Sequence, residues 1–195
     1  MRRRRTVILL GALCLVAASA VSAAAQSRQY VQGQVIGIGG RRAGLNRPFS
    51  LTVNQYTSPD DVQQLNQALR SGGQDELMRV LSKLDAGRVS IGNNVGVKAN
   101  AVIAMPTAEG GTKLTVLYER NVAIFELRYG ARSADYRFGY AEIYLDARGR
   151  GQGTFIPAAK VKLEGDNNWV VEDFGEFPAR LMGLRSTGRV GGGVR

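Results

Sequence analysis

Two glutamates set among apolar residues are the groups of this chain best placed to do chemistry. Glu142 interrupts a row of rings at alternate positions, Tyr136, Phe138, Tyr140 and Tyr144, within SADYRFGYAEIYLDARGRGQG (133–153). Glu126 interrupts the run VAIFELRYG (122–130). Successive side chains of a strand point to opposite faces, so the four rings and Glu142 share one face. If the two strands pair, the carboxylates approach each other in a groove lined by Tyr136, Phe138, Tyr140 and Tyr144. Paired carboxylates among aromatics are the raw material of glycoside hydrolysis. The competing reading is structural and is the commoner outcome. In it each glutamate pairs with an arginine (Arg120, Arg128 or Arg137) at a sheet edge, and the rings are buried. A third use of the row, as a ligand surface for sugars or acyl chains, requires helices to cover the opposite face.

Other chemistries are excluded by composition. The 195 residues contain no histidine and one cysteine, Cys14. Ser-His-Asp and Cys-His catalysis, the usual zinc sites and haem or iron–sulfur ligation are therefore absent. Gly37-Ile38-Gly39-Gly40 resembles the start of a dinucleotide fingerprint, but no helix follows at the required place. Asp146-Ala147-Arg148-Gly149-Arg150-Gly151-Gln152-Gly153 lacks the alternating carboxylates of a calcium loop and reads as a hairpin turn. No cofactor and no metal is expected.

The first residues carry an address. Arg2 to Arg5 precede an apolar run, Val7 to Val21, and Ala23-Ala24-Ala25 offers a small-residue cleavage site. That is the build of a secretory signal peptide over 1–25. The run is shorter than the roughly 20 residues a spanning helix needs, so no stable transmembrane anchor is expected after cleavage. Cys14 lies inside the leader, which leaves a mature chain with no disulfide to hold it. The formal charge of +10 comes from 26 basic and 16 acidic residues; without the four leader arginines it is 22 against 16, or +6. Such a protein adheres to anionic lipid or polysaccharide if its cations cluster. No basic cluster with interleaved aromatics points to nucleic acid.

The elements that must position these groups follow from periodicity. Tyr30 to Ile38 and Phe49 to Asn54 alternate as strands. Ser58-Pro59-Asp60-Asp61 is a capped helix start, with Val62, Leu65 and Leu69 in one stripe ended by Gly72-Gly73. A second helix with Leu77, Val80, Leu81 and Leu84 inward ends at Asp85-Ala86-Gly87. The remainder reads as strands. These are Arg88 to Ile91, Ala99 to Met105, Lys113 to Glu119, Val122 to Tyr129 after a turn at Arg120-Asn121, and the aromatic stretch. Thr154 to Glu164 follows, with Phe155, Ala159, Val161 and Leu163 facing in, then Trp169 to Phe174 and Arg180 to Arg185. The expectation is one α+β domain over 26–185. It is a mostly antiparallel sheet, strongly curved or barrel-like, with one helical hairpin (about 58–85) packed on it, and a disordered tail over 186–195.

The order of SPDDVQQLNQAL, SGGQDELMRVLSKLDAGRVSIG, VAIFELR, SADYRFGYAEIYLDARGRGQG and TFIPAAKVK is similar to a group of exported bacterial proteins, chiefly acidobacterial, that has no assigned activity. The resemblance covers roughly Phe49 to Arg185. It implies a single exported domain and no site residues. Together these readings describe a periplasmic or secreted protein, non-enzymatic, that binds or scaffolds an envelope ligand or partner protein. The alternative is a carbohydrate-active hydrolase using Glu126 and Glu142.

Overall fold

The structure, a computed structural model, describes residues 28–37, 44–120, 135–165, 168–173 and 179–188. Among the described residues ten strands form one antiparallel sheet: β1 (Gln29–Ile36), β2 (Asn46–Val53), β3 (Gly87–Ile91), β4 (Val97–Ala99), β5 (Ala101–Pro106), β6 (Thr112–Glu119), β7 (Phe138–Leu145), β8 (Arg150–Glu164), β9 (Asn168–Asp173) and β10 (Ala179–Thr187). Their order is β4-β3-β2-β1-β10-β8-β7-β6-β5, with β9 beside the second half of β8. The strand expected over 122–129 lies outside the described residues.

Among the described residues no hydrogen-bonded ladder closes this sheet, yet its two end strands are consecutive in the chain, separated only by Asn100. A sheet whose opposite edges are joined by one residue must curl until they meet. The interior that results holds one apolar cluster fed by every strand of the path, including Val31, Phe49, Leu51, Val89, Ala99, Val102, Leu114, Val116, Ile143, Phe155, Leu181 and Leu184. Curling is eased by a bulge in β10 between Leu181 and Leu184, displayed against both neighbours, where Gly183 takes φ +61°. That conformation costs glycine nothing and most residues about 1–2 kcal/mol.

The expected run Ala99 to Met105 is thus two strands broken at Asn100. Its side chain is 1% exposed and every polar atom is used. Nδ2 donates to Leu81 O (3.1 Å) and Leu84 O (3.3 Å), and Oδ1 accepts from Glu119 N (3.0 Å). One amide therefore joins the seam between β4 and β5 to β6 and to the end of the helix.

The helical region, α1 (Pro59–Leu81), is two helical arms that meet at a break at Gly73, the helical hairpin that the sequence predicts. Ser58 caps it, accepting from Asp61 N, and only Gly73 (φ 61°, ψ −142°) leaves helical geometry. A straight 23-residue helix would be about 34 Å long. Both ends nevertheless return to the same corner: Thr57 N donates to Val102 O, and the carbonyls of Leu81 and Leu84 meet Asn100. The chain folds back at Gly73, over β8, where the Gln74 amide donates to Val161 O (2.5 Å) and accepts from Val161 N (3.0 Å). There β8 has outrun β7, whose pairing ends at Phe138–Ala159, and Gln74 occupies the edge. Leu65, Leu69, Leu77, Met78 and Leu81 from both arms form a second core with Ala101, Leu117, Phe138, Tyr140, Ile156, Ala159 and Val161 on the outer face of β5 to β8.

Phe155, Ala159 and Val161 are all buried, as expected, but in different cores: Phe155 faces the interior, and Ala159 and Val161 face the helix. The β7–β8 register gives β8 an extra residue between Ile156 and Ala159, next to Pro157, and a one-residue bulge exchanges the faces of everything beyond it. The last strand also runs past the expected boundary, to Thr187.

Replacing Asn100 by Ala removes the partner of the Glu119 N–H and of the Leu84 carbonyl and leaves the Leu81 carbonyl with Leu84 N alone. The expected loss is about 2–4 kcal/mol of unfolding free energy, read by urea denaturation. A loss within about 0.5 kcal/mol of wild type would show that the seam does not depend on this residue.

Candidate binding surfaces

Phe138 and Tyr140 share the face that α1 covers, and Tyr144 joins them through Glu142, whereas Tyr136 precedes β7 and meets Lys160 and Glu172, on the side of β8 and β9 away from Ala159 and Val161. Phe138 is fully buried in the second core, and Tyr140 is 6% exposed beside it. Tyr136 is also buried, with its hydroxyl donating to Glu172 Oε1 (2.7 Å) and Lys160 Nζ 4.6 Å above its ring. Only Tyr144, 45% exposed, lies beyond the helix. The condition for a continuous ligand floor, helices on the opposite face, is not met, and most of the row is core.

Glu142 is satisfied, though not by an arginine. In register, β6 places Thr115 opposite Glu142 and Lys113 opposite Tyr144. Glu142 Oε2 accepts from Tyr140 Oη (2.8 Å) and pairs with Lys113 Nζ (2.9 Å), while Oε1 accepts from Tyr144 Oη. The two tyrosines are the neighbours at i−2 and i+2, so strand alternation alone brings them there. Burial would raise the Glu142 pKa, but the hydrogen bonds from Tyr144, Lys113 and Tyr140 outweigh it and hold the carboxyl below its usual range. Burial likewise tends to lower Lys113, and its contacts with Glu142 and Tyr144 raise it on balance. The group is a held carboxylate, not a poised proton donor. Glu126 lies outside the described residues.

Beside this cluster runs a groove of ≈ 380 Å³ between the first arm of α1 and the outer sheet. Val62, Ile103, Met105, Tyr140 and Trp169 line it together with Lys113 and Thr115. Trp169 reaches it from β9, with Nε1 donating to the buried Asn66 Oδ1 (2.6 Å). Nothing in the local sequence links Trp169 to Asn66, 103 residues earlier.

A second surface becomes visible only once the strands are ordered. There is no Asp or Glu anywhere in β1 to β5 or β10, or in β8 before Glu164. On the outer side of these strands Arg88, Lys98, Arg150, Arg180 and Arg185 are exposed, and none forms an ion pair with a described residue. Arg185 pairs in register with Arg150, and Arg88 with Lys98, so four of the five stand as cross-strand pairs of like charge. Like charges set opposite each other are unfavourable and are usually avoided. Between them lie Gln32, Gln34, Gln152 and Thr154. Along α1, by contrast, Asp60, Asp61, Asp75 and Glu76 outnumber Arg70 and Arg79. Asp146, in the turn that leads into β8, is occupied: Oδ1 accepts from Arg148 N and Arg150 N, both 2.8 Å.

Among the described residues no cluster of His, Cys, Asp or Glu could hold a metal ion, and no helix is long and apolar enough to cross a membrane. No protein-family model, curated protein or solved structure matches the chain.

A carboxyl whose folded pKa lies below its unfolded value of about 4.3 stabilises the fold above that value, and the contribution disappears as pH falls through the folded pKa. Glu142→Gln is therefore expected to cost about 1–2 kcal/mol at neutral pH. The gap to wild type should narrow below about pH 4. Denaturation midpoints across pH 2.5–7 check this, and a gap that widens in acid would contradict it.

Proposed function

We propose that this is an exported, non-enzymatic binding protein of the cell envelope, and that its working surface is the cationic outer face of β3, β4, β1, β10 and the first half of β8. The observation that carries the reading is the absence of carboxylates from that face while it presents five cations. Two cross-strand pairs of like charge are costly in the free protein, and an anionic partner relieves that cost. Arginine forks match carboxylate or phosphate oxygens, and the Gln and Thr residues between them suit hydroxyl groups. That combination fits an acidic polysaccharide better than a bare lipid headgroup layer. The arginine-led apolar leader at 1–25 supports delivery to the compartment where such polymers are found. The engagement of Glu142 by three donors favours binding over hydrolysis, because a glycosidase needs one carboxyl kept protonated as its acid.

The triple variant Arg150→Ala/Arg180→Ala/Arg185→Ala is expected to weaken binding to polygalacturonate at least about tenfold at low salt, with thermal stability equal to or above that of wild type because the Arg150–Arg185 repulsion is removed. Raising ionic strength from about 0.05 to about 0.3 M should weaken the wild type similarly, because it shortens the screening length. Isothermal titration measures both. Equal binding by wild type and triple variant, or stronger binding to phosphatidylglycerol vesicles than to the polymer, would contradict the proposal.

A further inference from the structure

One end of the curled sheet holds a cavity of ≈ 390 Å³ that has no part in the cationic face. Its walls are Val89, Ile91, Val95 and Val97 of the β3–β4 hairpin, with Tyr118 and Arg120 from the end of β6. The hairpin is a fixed wall. Ser90 Oγ donates to Asn94 O (2.6 Å), Asn94 Nδ2 to Ile91 O (3.3 Å) and Arg88 Nη1 to Gly96 O (3.1 Å). Val95 at its tip is 86% exposed, and Val97 is 38% exposed.

Tyr118 is the feature the fold leaves unexplained. It belongs to the interior core and is 7% exposed. Its ring lies flat against Gly139, its register partner on β7, where any side chain would collide with the ring. Yet its hydroxyl makes no hydrogen bond with any described residue, although buried Tyr hydroxyls are normally paired. Every other tyrosine hydroxyl described as buried finds a carboxylate: Tyr136 bonds Glu172, and Tyr140 bonds Glu142. Burial keeps the Tyr118 phenol protonated well above its ordinary range, so it remains a donor. Arg120, whose Nε donates to Tyr136 O (2.9 Å), stands close enough for its charge to act on that phenol.

We propose that this cavity binds the carboxylate end of a small aliphatic acid, with the Tyr118 hydroxyl donating to the carboxylate, Arg120 supplying positive charge and the valine-lined hairpin covering the chain. An unpaired buried donor calls for an acceptor, the nearby cation selects an anionic one, and the aliphatic walls select an unbranched apolar body.

Titration of the full chain with decanoate, and with decylammonium as the charge-reversed probe, tests the assignment. Decanoate is expected to bind with decylammonium at least about tenfold weaker. Tyr118→Phe, which removes only the donor, should weaken decanoate about tenfold. Val95→Asp, at a tip too exposed to affect folding, should weaken decanoate and not decylammonium. Tyr118→Phe should leave polygalacturonate binding as it was, which separates this site from the cationic face. Equal binding of the two probes, absence of decanoate binding at millimolar concentration, or unchanged decanoate affinity in both variants would overturn the proposal.

Discussion

Asn100 sits where three demands meet. The sheet has two ends to dispose of, the helix has a C-terminus whose carbonyls need donors, and β6 has a backbone N–H at Glu119 beyond the end of its pairing with β5. A single side-chain amide answers all three, because it carries two donors and an acceptor on one rigid plane. The geometry of the whole molecule follows from that corner. The sheet must curl to bring β4 and β5 together, the interior fills with the inward residues of all its strands, and α1 starts and ends beside the same residue. With both helix ends fixed there, the break at Gly73 is required rather than incidental.

Fixing α1 at that corner also divides the outer surface. Over β5 to β8 the outer face is largely apolar and covered, and its carboxylate Glu142 pairs with Lys113 and accepts from Tyr140 and Tyr144. Around the rest of the curled sheet no described element covers the outer face, and its cations lack carboxylate partners among the described residues. The molecule is therefore two-sided: a helix-bearing side with an excess of acids and a bare side that carries cations alone. Stability considerations do not favour paired like charges at Arg150–Arg185 and Arg88–Lys98, so their retention is better explained by what they meet outside the protein.

The local elements were legible in the sequence and the long-range ones were not. Strand alternation gives β6, β7 and the turn at Asp146, and the cap at Ser58 gives the start of α1, because each depends on neighbours within a few residues. Beyond Pro157 a bulge shifts the alternation of β8 by one, so Ala159 and Val161 are buried as expected but against the helix rather than beside Phe155, and the proline is the local mark of that shift. Asn100 looks like an ordinary polar residue inside a strand, and its importance comes from partners 16 to 19 positions away on either side. Glu142 was recognisable as an anomaly, and its tyrosine partners at i±2 followed from the same alternation that exposed it. Lys113 did not, because it arrives by register with β6. The cationic face required the placement of β10 between β1 and β8: stretches free of acids are visible in the sequence, but only the sheet order puts them side by side.

The central claim is that the bare side of the sheet, not the helix-bearing side, is where this protein meets its partner. Amide hydrogen exchange of the full chain with and without an acidic polysaccharide tests it most directly, since it reports position without altering a residue. The account predicts added protection in β1, β10 and the first half of β8, and none in α1 or β6. Protection centred on α1 and the Trp169 groove, or no change anywhere at a polymer concentration that saturates binding, would contradict it.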